Sequence, residues 1–152
     1  MPDPDPDAVR PTPQITYEPT PSEADMRALG EKLNAYNEAK AGPLNHQRMF
    51  FAVRDANGEL VGGLLGATYW GWLFVSVLFV GESCRGTGIG ADLLARAEAL
   101  ALERGATHAY LDTFSFQAEP FYARRGYEPF GRLSDFPQGH GRAWMSKPLR
   151  AP

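Results

Sequence analysis

The run WLFVSVLFV, Trp72 to Val80, leads straight into the glycine turn RGTGIG and then into an amphipathic helical pattern. No other feature of the chain limits its fold as tightly. A strand apolar on both faces belongs in the middle of a sheet covered on both sides. Behind the turn, Ile89, Leu93, Ala97, Leu100 and Ala101 mark one face of a helix that ends at Arg104-Gly105, where Gly105 is a natural left-handed stop. A strand, a Gly-rich turn and a helix in succession make an anion site. The first helical N–H groups have no intrahelical partner, and the helix dipole adds positive potential there. Gly86, Gly88 and Gly90 lack Cβ atoms, so a phosphate can approach the backbone, and Arg85 adds a fixed charge.

The flanking sequence supplies partners for this unit. ITYEP reads as a first edge strand. Ser22 with Asp25 forms a capping-box start for a helix carrying Met26, Leu29, Leu33 and Tyr36, which fades before Gly42-Pro43. RMFFAVRD and LVGGLLGATY read as strands joined by the turn DANG. After the central helix come the strand HAYLDTF, the short helix EPFYARRG stopped by Gly126, and two closing strands, YEPFGR and AWMSKPL, joined by SDFPQGHGR. The order β-α-β-β-β-α-β-α-β-β predicts an α/β or α+β domain with a mostly antiparallel first half and one parallel crossover. The opening MPDPDPDAVRPTPQ holds five prolines and three aspartates, so residues 1–13 are expected to be a solvated tail before a single domain over 14–152.

Charge and cysteine content narrow the function classes. A net charge of -3 gives no basic field for nucleic acid. The lone cysteine, Cys84, excludes an internal disulfide and suits a reducing cytoplasm. No apolar run reaches membrane-spanning length. His46, His108 and His140 stand in separate segments without ligand spacing, so no metal site is expected.

Which anion does the turn hold? A Walker loop needs a lysine that is absent here. Gly86, Gly88 and Ala91, with Asp112 about twenty residues on, meet the lax dinucleotide fingerprint. That fold, however, opens with this strand, which here stands mid-chain behind a hairpin. A turn used only for tight packing is the third alternative.

The segment Arg85–Ala91 resembles the acyl-CoA pyrophosphate loop of the GNAT N-acetyltransferase superfamily, [RQ]-x-x-G-x-[GA]. A second block, QAEPFYARRGYEPFG, is similar to the superfamily's A-x-x-[FL]-Y-x-x-x-G-[FY] segment through Ala118, Phe121, Tyr122, Gly126 and Tyr127. The resemblance implies a central mixed, mostly antiparallel sheet of six or seven strands, splayed in the middle and flanked by three or four helices. It implies acetyl-CoA as cofactor. Arg85, Gly86, Thr87, Gly88, Ile89, Gly90 and Ala91 would hold the pyrophosphate, and Leu78, Phe79 and Val80 the pantetheine arm. Phe121 and Tyr122 would lie alongside, and Arg124 or Arg125 would meet the 3′-phosphate unless they form a solvated helix face.

The resemblance also distributes the catalytic roles. The N–H of Val80 is the candidate to polarise the thioester carbonyl, and Tyr122 the candidate acid for the leaving thiolate. A core tyrosine with a satisfied hydroxyl is the plain alternative. Glu82 is a candidate base, or simply a helix-entry acid. Asp112 either titrates within its apolar strand or hydrogen-bonds across the splay. Ser76 stands where members of the superfamily can carry an acid, so a base on that strand is in doubt. Cys84 is a bystander thiol or, on a ping-pong route, an acyl carrier.

Trp70 and Trp72 share a strand face and are candidates, with Phe114, Phe116 and the loop SDFPQGHGR, for the acceptor cleft. Sheet-covering core aromatics are the alternative for the two tryptophans. The expected reaction is direct attack by a small primary amine, of polyamine or aminoglycoside type. A protein or peptide amine, or a non-catalytic acyl-CoA sensor, is the alternative. The partners expected are the small-molecule amine and, as an open possibility, a second copy of the chain.

Overall fold

A computed structural model describes residues 12–150. Most of the proline- and aspartate-rich opening lies outside the described residues. The chain divides into two compact units, Met1–Gly42 and Pro43–Pro152.

The first unit holds one helix, α1 (Glu23–Ala41). Ser22 caps it, its Oγ accepting the Asp25 N–H at 3.0 Å, and Glu23 and Asp25 place negative charge in the first turn. Gly42, at φ 86°, ends it, as the sequence predicts. The ITYEP expectation is not met. These residues join no strand, and Ile15 and Tyr17 are fully exposed. The segment ends at Pro19, and among the described residues of this unit there is one helix and no strand edge to pair with. The apolar positions Met26, Leu29, Leu33 and Tyr36 are also exposed.

The second unit is a six-stranded sheet in the order β1-β2-β3-β4-β6-β5, with helices α2 (Ile89–Glu103) and α3 (Glu119–Ala123). Its strands are β1 (Gln47–Arg54), β2 (Leu60–Tyr69), β3 (Trp72–Val80), β4 (His108–Phe114), β5 (Glu128–Ser134) and β6 (Gly141–Pro148). Only β3 and β4 run parallel, joined through α2, as predicted. The β1–β2 turn is built by Asp55, whose Oδ1 accepts the N–H groups of Asn57 and Glu59 at 2.8 and 3.0 Å.

The core lies between α2 and one face of the sheet. Leu64, Leu73, Leu94, Leu111 and Met145 are fully buried there. Each such side chain contributes about 1.5–3 kcal/mol through removal from water. Ala97 and Ala101 are also fully buried, and their small size lets α2 lie close against β2 and β3.

The expectation that β3 is covered on both faces is corrected. Val77 and Phe79 remain 51% and 56% exposed. The apolar residues after Ser76 all line a cleft, with Val77 and Phe79 exposed while Leu78 and Val80 are half-buried and pack against the core.

A bulge explains the change. Leu65 pairs with Val77 and Gly66 with Val75, so Ser76 has no partner on β2. Its Oγ donates instead to the Leu65 carbonyl at 3.0 Å. An extra residue bends its strand. Pairing of β3 with β4 stops at Val75–Leu111, while β4 continues beside β6 as far as Phe114–Arg142. The sheet therefore opens between the C-terminal ends of β3 and β4.

Candidate active site

The opening is a cleft of about 960 Å³. One wall is the end of β3 with the glycine turn, and the other comprises β4, α3 and the start of β6. Leu78, Phe79, Val80, Arg85, Gly86, Gly88, Ile89, Gly90 and Ala91 all line it, as do Phe121, Tyr122, Arg124 and Arg125. The two sequence blocks that are far apart in the chain thus meet across one space.

The turn is shaped for an anion. Gly86 and Gly88 have φ of 77° and 82°, a region that side chains other than Gly and Asn rarely enter. A Cβ built on either would touch nothing within 4 Å, so the space above the turn is open. Gly88 caps α2 and offers no side-chain hydrogen bond, which leaves the first N–H groups of the helix for a ligand. Gly90 lies inside the helix, and the Phe121 ring and Val80 approach within ordinary contact of it. Thr87 lines no part of the cleft; its hydroxyl donates to the Cys84 carbonyl.

The ladder at the end of β3 determines where Val80 points. Gly81 N–H donates to the Val61 carbonyl at 2.8 Å, and Gly62 pairs with Val80. Antiparallel alternation then turns the Val80 N–H and C=O away from β2, toward the side β4 has left. Arg85 Nε takes the Val80 carbonyl at 3.2 Å, which ties the turn to the strand. The Val80 N–H remains as a donor at that edge.

Tyr122 sits opposite, on α3. Its residue is 7% exposed, and its ring packs edge-on against Phe121 and Tyr127 at 5.1 and 5.9 Å. Its hydroxyl has no hydrogen-bond partner among the described residues, and no buried side-chain polar atom among them lacks one, so the hydroxyl is open to the cleft. Burial, and secondarily the Asp112 charge, push its pKa up to about 12. The phenol is therefore protonated at physiological pH. Arg125 is anchored over the Phe121 ring at 3.7 Å and donates to the Phe121 carbonyl at 2.8 Å, while Lys147 holds the Arg125 carbonyl.

Several sequence expectations fall elsewhere. Trp70 and Trp72 line no part of the cleft. They stand at the opposite end of β3, where Trp72 stacks on His108 at 4.6 Å, because the parallel pairing begins there and the splay lies beyond Val75. Glu82 opens a 3-10 turn at the surface and is not a lining residue. Cys84 does line the cleft, half-buried. Ser76 is present in the wall, with its hydroxyl committed to the bulge. Among the described residues no group of His, Cys, Asp or Glu is placed to hold a metal ion.

Phe114 and Phe116 do line the cleft and stack on each other at 5.3 Å. Between them and the reacting end lies an arrangement that the sequence did not reveal. Arg142 donates from Nε to Asp112 Oδ1 at 2.7 Å, with Nη2 at 2.5 Å from the same oxygen. Its guanidinium lies 4.9–5.0 Å from the ring centres of Phe114, Phe136 and Trp144. Asp112 thus makes a cross-strand ion pair. The sequence pattern puts Arg142 at the end of the loop SDFPQGHGR and starts the closing strand at Ala143, whereas β6 begins at Gly141. The register of β4 with β6 brings the pair together, and no local signal encodes it.

The profile of the Acetyltransferase (GNAT) family matches residues 12–127. An acetyltransferase of Agrobacterium fabrum is 38% identical over 121 residues, 80% of this chain and 88% of that protein. The blasticidin-S acetyltransferase of Streptomyces morookaense is 46% identical over 83 residues, 54% of this chain and 61% of its own length. Among solved structures, an acetyltransferase from Agrobacterium tumefaciens superposes with a TM-score of 0.83 at 34% identity, covering 89% of this chain and 98% of that one.

Proposed function

Because the chain belongs to the GNAT acetyltransferase family, we propose that it transfers an acetyl group from acetyl-CoA to a primary amine of a small molecule, by direct attack with both substrates bound. The observation that carries this reading is the convergence of the open glycine turn, the outward Val80 N–H and the Tyr122 hydroxyl on one cleft. The blasticidin-S acetyltransferase among the relatives favours a small-molecule acceptor over a protein amine. No helix among the described residues is long and apolar enough to cross a membrane. A cytoplasmic site of action, suggested by the lone thiol, is part of the proposal.

The residues present fit the cofactor. Uncapped helix N–H groups, glycines with open space above them and the Arg85 and Arg124 guanidinium groups supply what a pyrophosphate and a further phosphate need. When bound, acetyl-CoA brings a thioester with an electrophilic carbonyl carbon and a thiolate leaving group. The chain's own contributions are then threefold. The exposed edge of Leu78–Val80 offers strand-like hydrogen bonds to an amide-rich arm. The Val80 N–H supplies a fixed donor for carbonyl oxygen. Tyr122 holds a proton for the departing sulfur. Asp112 is engaged with Arg142 and Glu82 stands outside the cleft, so the amine's proton is assigned to solvent in the cleft mouth.

Thermal unfolding with and without millimolar acetyl-CoA tests the cofactor assignment. A ligand bound only by the native state stabilises it by mass action, about 2.7 kcal/mol at a hundredfold excess over Kd. A clear rise in Tm with acetyl-CoA and none with NADH is expected. The reverse result would restore the dinucleotide alternative.

A further inference from the structure

We propose that Arg142 is the specificity-determining residue for the acceptor, and that the acceptor is an amino-carboxylate. Its amine is presented on the Tyr122 side of the cleft, and its carboxylate is taken by the Arg142 guanidinium. The inference rests on the transferase reading above and names the substrate class of that same site.

The charge inventory of the cleft disfavours the polyamine or aminoglycoside expected from sequence. Its lining carries four arginines and a single carboxylate, Asp112. Three of the arginines, Arg85, Arg124 and Arg125, belong to the glycine turn and the end of α3. The fourth is Arg142, and it already engages the one carboxylate. With the cofactor's phosphates on the first three and Asp112 on Arg142, a multiply charged amine finds no free carboxylate among the lining residues.

Arg142, by contrast, is built to receive an anion. A guanidinium has five N–H donors, and the Nε and Nη2 contacts to Asp112 use two of them. The remaining donors form part of a planar fork that matches a carboxylate. Asp112 and the rings of Phe114, Phe136 and Trp144 fix that plane, so little side-chain entropy remains to be lost on binding. The side chains of Arg142 and Asp112 are 25% and 19% exposed, mostly shielded and still reachable. The aromatic surroundings weaken competition from water and provide an apolar bed for the body of the acceptor.

Asp112, Arg142 and Tyr122 line the same cleft, with Asp112 bonded to Arg142, so the carboxylate-binding and proton-donating groups face one space.

The experiment measures kcat/KM by thiol release for paired amines, apolar amino acids against their carboxamides, with spermidine as a third acceptor. It uses the unaltered protein, Arg142→Gln and Arg142→Lys. Comparing the acid-to-amide ratio between proteins cancels the difference in amine basicity. We expect that ratio to fall at least tenfold in Arg142→Gln and by a smaller factor in Arg142→Lys, which keeps charge but loses the fork. The acetyl-CoA thermal shift should be retained in both.

A second arm needs no variant. In the unaltered protein, 3-phenylpropionate should compete with the amine while 3-phenylpropionamide should not. Equal ratios in all three proteins, preference for spermidine, or equal inhibition by acid and amide would each overturn the assignment. Absence of both an acetyl-CoA shift and thiol release with any amine would instead overturn the transferase reading on which it rests.

Discussion

Tyr122→Phe is expected to lower kcat by about a hundredfold while acetyl-CoA binds nearly as before, since a positioned acid typically supplies 10²–10⁴ in rate. The substitution removes one oxygen and keeps a ring that packs between Phe121 and Tyr127. The hydroxyl has no hydrogen-bond partner among the described residues, so no partner is orphaned and the fold should keep its Tm. Matched losses in kcat and kcat/KM would mark an interaction made only in the transition state. A structural tyrosine predicts the opposite pattern, a lowered Tm with near-normal turnover. Wild-type turnover in a stable, cofactor-bound variant would remove Tyr122 from the mechanism.

The raised pKa adds a pH signature. Burial favours the neutral phenol, so the folded value of about 12 exceeds the ordinary 10.0. The donor stays protonated through the range in which the acceptor amine loses its proton. Turnover should therefore rise with pH until the amine is neutral and then hold, without an alkaline fall from Tyr122 until pH approaches 12. The same sign applies to stability. The contribution of the neutral phenol is fully present below pH 10 and is lost as pH rises toward 12. Tyr122→Phe should remove that part of the alkaline destabilisation.

The second large effect is expected at Gly88. A side chain there projects into the open space above the turn, and acetyl-CoA affinity should fall at least tenfold, about 1.4 kcal/mol. Gly88→Val, the substitution the sequence alone suggests, mixes two causes. At φ 82° a β-branched residue is strained, so the variant should also lose about 1–2 kcal/mol of stability. Gly88→Asn separates them, because Asn enters the left-handed region readily while still filling the space. Calorimetric titration of acetyl-CoA into a Gly88→Asn protein of near-normal Tm is the deciding measurement. Unchanged affinity there would count against the turn as the phosphate site.

Much of the cofactor half was legible in the sequence because its signals are local. An apolar strand, glycines at alternate positions and a 3.6-residue apolar period each report on a few adjacent residues. Those residues occupy a strand, a left-handed turn and α2 as read. The Ser22 cap and the Gly42 stop were equally local, and both are present. The acceptor half was legible in part, since Phe114 and Phe116 line the cleft as expected. TYWGW drew attention as a cluster of rings, yet Trp72 packs on His108 at the far end of β3. Arg142 ends the loop SDFPQGHGR expected at the cleft, yet nothing local singles it out as the residue on which three rings and a carboxylate converge.

The sequence by itself determined the order of elements, the single parallel crossover and the residues of the anion turn, since each follows from backbone propensity and short-range periodicity. Only the tertiary structure decided where the sheet opens and what faces the opening. A one-residue bulge at Ser76 lies where the β3–β4 ladder ends, and beyond it the Val80 N–H faces a free edge and the apolar residues line a cleft. The register of β4 on β6, thirty residues apart in the chain, then pairs Asp112 with Arg142. Bulges and cross-strand registers are settled by the competition of all ladder bonds and packed faces at once, so no short window of residues carries them.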